Sequence, residues 1–118
     1  MFKVTIEGKE VGDFDTFIEA FKTFFDKVKE IIDRGTPWQM LETACWIECN
    51  GKNPIGFYAV KNLAYAIGLL KDGKLQDSVR ELPQDIMESV FHTLHTTACI
   101  NDCLEIIKRV TRHMSNVS

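Results

Sequence analysis

Apolar and polar residues alternate in FKVTI (2–6), which puts Phe2, Val4 and Ile6 on one face of an extended chain. EGKE and then Val11 follow, so the spacing predicts a β-hairpin over 2–12 with Gly8-Lys9 at the turn, a glycine in the first central position suiting a II′ geometry. The free edge of such a ribbon is the place where a partner would add a strand. The period then changes. In DTFIEAFKTFFDKVKEIIDRG (15–35), Phe17, Phe21, Phe24, Val28 and Ile31 recur at helical spacing. Thr16 with Glu19 forms a capping-box pattern and Gly35 a stop, which predicts a helix over about 15–34.

TPWQMLETACWIECNG (36–51) has a second start signal, with Thr36 as cap, Pro37 at the first helical position and Gln39 three residues after the cap. The reading adopted is a helix over 37–49 ended by Asn50-Gly51; a strand over 43–49 competes, because Thr43, Trp46 and Ile47 favour sheets. NPIGFYAVKNLAYAIGLLKDG (53–73) is apolar nearly all round and is expected to be a buried central helix over 54–72, in which Ala64 and Gly68 let a neighbouring backbone approach. After the loop KLQDSVRE, the segment 82–114 carries Ile86, Val90, Leu94, Ala98, Leu104, Ile107 and Val110 on a helical period. That predicts a helix over 83–113, with a possible break near Asn101-Asp102. The expected fold is mainly α with a small β component: a compact single-domain bundle of about four helices with an N-terminal β-hairpin, spanning 1–118.

Composition narrows the function classes. Apolar residues make up 45% and charged residues 26% of the 118, an ordinary globular balance. Fourteen basic and 17 acidic side chains give a formal net charge of -3 with no basic block, which argues against nucleic acid as a partner. The first ten residues have no apolar h-region, and the longest apolar run is interrupted at Lys61-Asn62 and too short for a bilayer. No membrane association is expected, and a cytoplasmic location is.

The candidate chemistry lies in the four cysteines, arranged as CWIEC (Cys45, Cys49) and CINDC (Cys99, Cys103). On helices, residues four apart lie one turn, ~6 Å, from each other along the axis, whereas four extended steps cover ~13 Å, too far to share an ion. Two antiparallel helices would bring the pairs together as a four-thiolate zinc site or as two disulfides. His95 stands four before Cys99 and His92 three before His95, so imidazole could join such a set. The twin spacing is similar to that of small mitochondrial intermembrane-space chaperones, whose paired C-x-x-x-C motifs staple a helical hairpin. Here a whole predicted apolar helix separates the motifs, so that family is not carried over. The competing reading is that all four cysteines are core filler, since free cysteine packs as a small hydrophobe.

Enzyme signatures such as G-x-S-x-G, H-E-x-x-H or a phosphate loop are absent from the sequence. NLAYAIGLLKDGKL (62–75) partly resembles the first half of a helix-turn-helix in Leu63-Ala64 and Ile67-Gly68-Leu69. Asp72-Gly73, however, falls where a recognition helix should run, and a buried helix ended by a glycine cap fits the stretch better. The sequence thus favours a small non-enzymatic protein-interaction or regulatory domain of adaptor or inhibitor type, binding another protein or itself as a homodimer. No cofactor is expected. The alternative is a thiol-based metal-binding (zinc) or redox protein using Cys45, Cys49, Cys99 and Cys103.

Overall fold

The computed structural model describes residues 1–77, 79 and 81–96, with Glu105, Lys108, Arg109 and Arg112. In chain order its elements are β1 (Phe2–Ile6), β2 (Lys9–Phe14), α1 (Phe17–Asp33), α2 (Trp38–Ala44), β3 (Trp46–Cys49), β4 (Lys52–Gly56), α3 (Phe57–Ala66), β5 (Leu70–Lys71), β6 (Lys74–Leu75) and α4 (Gln84–Thr96). The fold is therefore mixed α/β, not the mainly helical bundle expected from the sequence. Four antiparallel strands in the order β2-β1-β3-β4 form one sheet, and β5 and β6 form a small ribbon.

Two helices of the expected bundle contain strands. A helix does open after the start signal at 36–39, but with Pro37 rather than Thr36 as its N-cap and no side-chain cap bond; α2 ends at Ala44, and Cys45 turns extended (φ -130, ψ 131) to lead into β3. Asn50-Gly51 is then a hairpin turn rather than a helix stop, both residues having positive φ (53 and 74), as the two central residues of a type I′ turn require. β4 follows, so the helix expected over 54–72 begins only at Phe57 and ends at Ala66. Gly68 closes that helix: its N–H donates to Tyr65 O (3.1 Å) and that of Leu69 to Ala64 O (2.8 Å), a Schellman cap. Among the described residues no backbone approaches Gly68, and the β5–β6 ribbon runs where a recognition helix would lie. The first hairpin is present, extended to Phe14, with its turn at Glu7-Gly8 instead of Gly8-Lys9.

The helix at 15–34 is found as α1. Thr16 Oγ1 accepts from Glu19 N (3.2 Å), Thr36 N and Gly35 N donate to Ile31 O and Ile32 O, and the five residues of the expected apolar face are buried. Of the stretch expected as helix over 83–113, Gln84–Thr96 forms α4 and the four isolated residues named above are helical; the rest, with the possible break near Asn101-Asp102, lies outside the described residues.

One face of the sheet holds the core. Register puts Phe2 beside Phe14 and Cys49, and Val4 beside Gly12 and Ile47, with Ile55 next to Ile47. α1 packs on β1 and β2, and α4 on β3 and β4. Where they meet, the rings of Phe2, Phe17 and Phe91 lie 5.8–6.1 Å apart pairwise, joining β1, α1 and α4. The other face carries Lys3, Thr5, Trp46 and Glu48. Both sheet edges are irregular: β2 is bulged at Val11, opposite the register shift between Val4 and Thr5, while β4 has Pro54 within its own irregular stretch. Such edges resist strand addition.

Two carboxylates cap helices from outside them. Glu81, just before α4, accepts from Phe17 N (2.9 Å) and Ile18 N (3.3 Å) at the start of α1, and Glu42 of α2 accepts from Tyr58 N (2.8 Å) at the start of α3. Burial pushes the Glu81 carboxyl above its ordinary value of 4.5; the two amides oppose this shift and Glu19 adds to it.

Two predictions follow from this packing. Truncation of a ring shared by three elements leaves a cavity, so Phe91→Ala should lower the urea-unfolding free energy by about 3–5 kcal/mol. For Glu81, a folded value above the unfolded one means that its contribution is fully present below about pH 4.5 and is lost as pH rises through the folded value. Glu81→Gln keeps the acceptor without the charge, so the variant should gain stability relative to wild type between acid and neutral pH. Glu81→Ala should cost about 1–2 kcal/mol throughout, by analogy with the loss of a helix cap. Denaturant melts of the three proteins across that range check both signs.

Candidate functional site

The sequence-predicted cysteines divide. Cys45 and Cys49 are both buried, at opposite ends of an extended stretch spanned by four strand steps of about 3.3 Å. The helical spacing that a shared ion requires is thus not met at this pair. Both point to the core face with Ile47 between them, the environment of small apolar filler. Burial pushes both thiols up; at Cys45 a hydrogen bond from the Glu7 backbone opposes the shift, and at Cys49 the charge of Glu88 adds to it. Cys99 and Cys103 lie outside the described residues. His95 is exposed, and its Nδ1–H donates to Pro54 O (2.8 Å), tying α4 to β4. Among the described residues, no three His, Cys, Asp or Glu side chains converge as metal ligands.

Cys49 and His92 do share one feature, a cleft of about 650 Å³ between the β3–β4 turn and α4 that also takes in Asn50, Lys52, Asp85 and Glu88. Three of its side chains are hydrogen-bonded. Gln84 Nε2 donates to Cys49 Sγ (3.6 Å), Asn50 Nδ2 donates to Glu88 Oε1, and the Met1 amino group donates to Asn50 Oδ1. A thiol held protonated is a poor nucleophile, so Cys49 lacks the activation that a covalent nucleophile needs.

Two other depressions are built from aromatic side chains, and the sequence reading missed both. The first is a groove of about 430 Å³ between α1 and α3, lined by Ile32, Phe57, Tyr58 and Lys61. Phe57 stacks on Phe24 of α1 (6.4 Å), and Lys61 Nζ lies 5.6 Å from the ring centres of both Phe57 and Tyr58. Ile32, seven residues after Phe25, continues the exposed side of α1, where Lys29 Nζ stands 5.4 Å from the Phe25 ring. At 41% exposure Ile32 is an open apolar surface in the same groove as Lys61.

The second is a pocket of about 400 Å³ on the outer face of the sheet, lined by Glu42, Trp46, Glu48, Pro54 and Gly56. Trp46 Nε1 donates to Glu48 Oε1 (3.0 Å), and Gly56 pairs with Trp46 across β3–β4. The missing side chain of Gly56 admits Glu42: a Cβ there would lie 2.5 Å from Glu42 Oε1 and 2.7 Å from Glu42 O. The Glu42–Tyr58 hydrogen bond joins this pocket to the groove.

A period-two signal for the pocket was present in CWIEC, where Cys45, Ile47 and Cys49 alternate with Trp46 and Glu48. Glu42 and Gly56 carry no local signal, since their meeting depends on α2 folding over β4. No family model, curated protein or solved structure matches the chain. No helix among the described residues is long and apolar enough to cross a membrane.

The raised thiols give a direct expectation. Alkylation of Cys45 and Cys49 by iodoacetamide at pH 8, followed by peptide mass mapping, should be at least about tenfold slower in native protein than in urea, because both burial and the protonated state suppress attack. Equal rates in the two conditions would remove the core-filler assignment.

Proposed function

We propose that this chain is a small non-enzymatic binding domain that holds a segment of another protein in the groove between α1 and α3. The observation that carries the reading is the exposed Ile32 beside the Phe57 and Tyr58 rings, with Lys61 resting on both. Apolar floor and fixed cation together suit a partner segment that presents an apolar side chain followed by a carboxylate. Aromatic side chains with a rigid stem are the residue types that dominate binding energy at interfaces. The irregular sheet edges favour a side-chain-lined groove over strand addition as the means of contact. Buried thiols and the extended spacing of Cys45 and Cys49 favour this reading over the zinc or redox alternative.

Selection of displayed peptides on the immobilised protein tests it. Apolar-acidic sequences should emerge, and their affinity should fall at least about tenfold in Ile32→Glu and in Lys61→Glu, as expected for central contact residues. Both side chains lie at the surface, so urea stability should change by no more than about 0.5 kcal/mol. Peptides indifferent to both substitutions would place the binding surface elsewhere. A concentration-dependent dimer in light scattering that Ile32→Glu disperses would identify the partner as a second copy.

A further inference from the structure

We infer that the pocket on the outer face of the sheet is a guanidinium-binding site, with the Trp46 indole as its stacking surface and Glu42 and Glu48 as its carboxylates. The inference does not depend on the α1–α3 groove.

Two separate features point to a planar cation. One is charge. The pocket holds two carboxylates, and among the described residues no basic side chain lines it. Lys3 stands directly across from Glu48 in the β1–β3 register, yet its Nζ lies 3.9 Å from Glu10 Oε2 on the opposite side. The other ion pair among the described residues, Arg34 with Glu7, involves neither pocket carboxylate. The second feature is the aromatic surface. Trp46 is half-buried on the outer face, and indole is the ring that attracts cations most strongly.

The carboxylates are held in place by the fold. Glu42 Oε2 is fixed by Tyr58 N (2.8 Å) and Glu48 Oε1 by Trp46 Nε1 (3.0 Å), which leaves Glu42 Oε1 and Glu48 Oε2 to receive further donors. Gly56 keeps the space beside the indole free of a side chain and lets Glu42 enter it. A guanidinium offers a flat face for the ring and a fork of N–H donors for the two oxygens, whereas a quaternary ammonium offers no N–H at all. About 400 Å³ is ample for that group and the start of its aliphatic stem.

The test is an NMR titration that follows the Trp46 indole N–H, assigned by comparison with Trp38→Phe. Methylguanidinium and N-acetyl-arginine methylamide should each shift it saturably, with a Kd of about 1–10 mM for so small a probe. Affinity should fall about tenfold in Glu48→Gln and in Glu42→Gln, which keep the acceptors for Trp46 Nε1 and Tyr58 N but lose the charge. Tetramethylammonium, a cation without N–H groups, should compete poorly in the unmodified protein, a check that needs no substitution. An Ala-Ala-Arg-Ala-Ala peptide binding at least tenfold more tightly than N-acetyl-arginine methylamide would identify the source as an arginine of a protein; equal affinities would identify a free guanidino compound. Absence of any Trp46 shift with the guanidinium probes, equal affinity in both Gln variants, or tetramethylammonium competing as well as methylguanidinium would each overturn the assignment.

Discussion

Three phenylalanine rings hold the layers together. Phe2 comes from the sheet, Phe17 from the first turn of α1 and Phe91 from the middle of α4, and each touches the other two. Every such pair adds about 0.5–1.5 kcal/mol beyond area burial, and edge-on and tilted contacts of this kind fix the angles between elements as well as their distances. α4 is thereby held against β3 and β4, and the cleft at Cys49, the tie from His95 to Pro54 and the cap from Glu81 onto α1 all depend on where that helix lies. The two aromatic depressions are one step further away. They lie where α1, α2 and α3 meet the sheet margin, and they inherit their shape from the Phe24–Phe57 stack and the Glu42–Tyr58 hydrogen bond.

What the sequence revealed depended on the range of the interaction. α1 was legible from cap to cap because its apolar face repeats over four turns and its stop is a glycine in the adjoining residues. The opening of α2 and the presence of the first hairpin were legible for the same reason. The fold class was not. In 45–49 the side chains alternate with period two, but five residues cannot outweigh a Thr-Pro start signal, and residues four apart share a face in a helix and a strand alike. Asn50-Gly51 and Asp72-Gly73 read equally well as helix ends or as hairpin turns, and which one they are is decided by whether a neighbouring strand exists to pair with. β3 has two such neighbours, β4 just across the turn and β1 over forty residues upstream, and no local pattern announces the second.

The candidate sites show the same division. The cysteines attracted attention because their chemistry can be named from the sequence, yet the described pair is enclosed in the core. Trp46, Glu48, Phe57 and Lys61 form no motif whose chemistry can be named from the sequence. They acquire meaning only when β3 presents alternate side chains outward and α3 swings its first turn against α1. Glu42 illustrates the limit: its neighbours are a backbone amide sixteen residues later and a glycine that admits it.

The position of β1 has a consequence for synthesis. Although it precedes β2, β3 and both covering helices in the chain, β1 occupies an interior place in the sheet, with β2 on one side and β3 on the other. A nascent chain can close the first hairpin early, but Phe2 meets Cys49 and Phe91 only after those residues emerge. At about 5–20 residues per second, the face bearing Phe2, Val4 and Ile6 waits on the order of 4–18 s for its last covering helix. The part of this apolar face that α1 leaves open thus stays uncovered until α4 emerges, an interval in which it is exposed to other nascent chains and to holding chaperones.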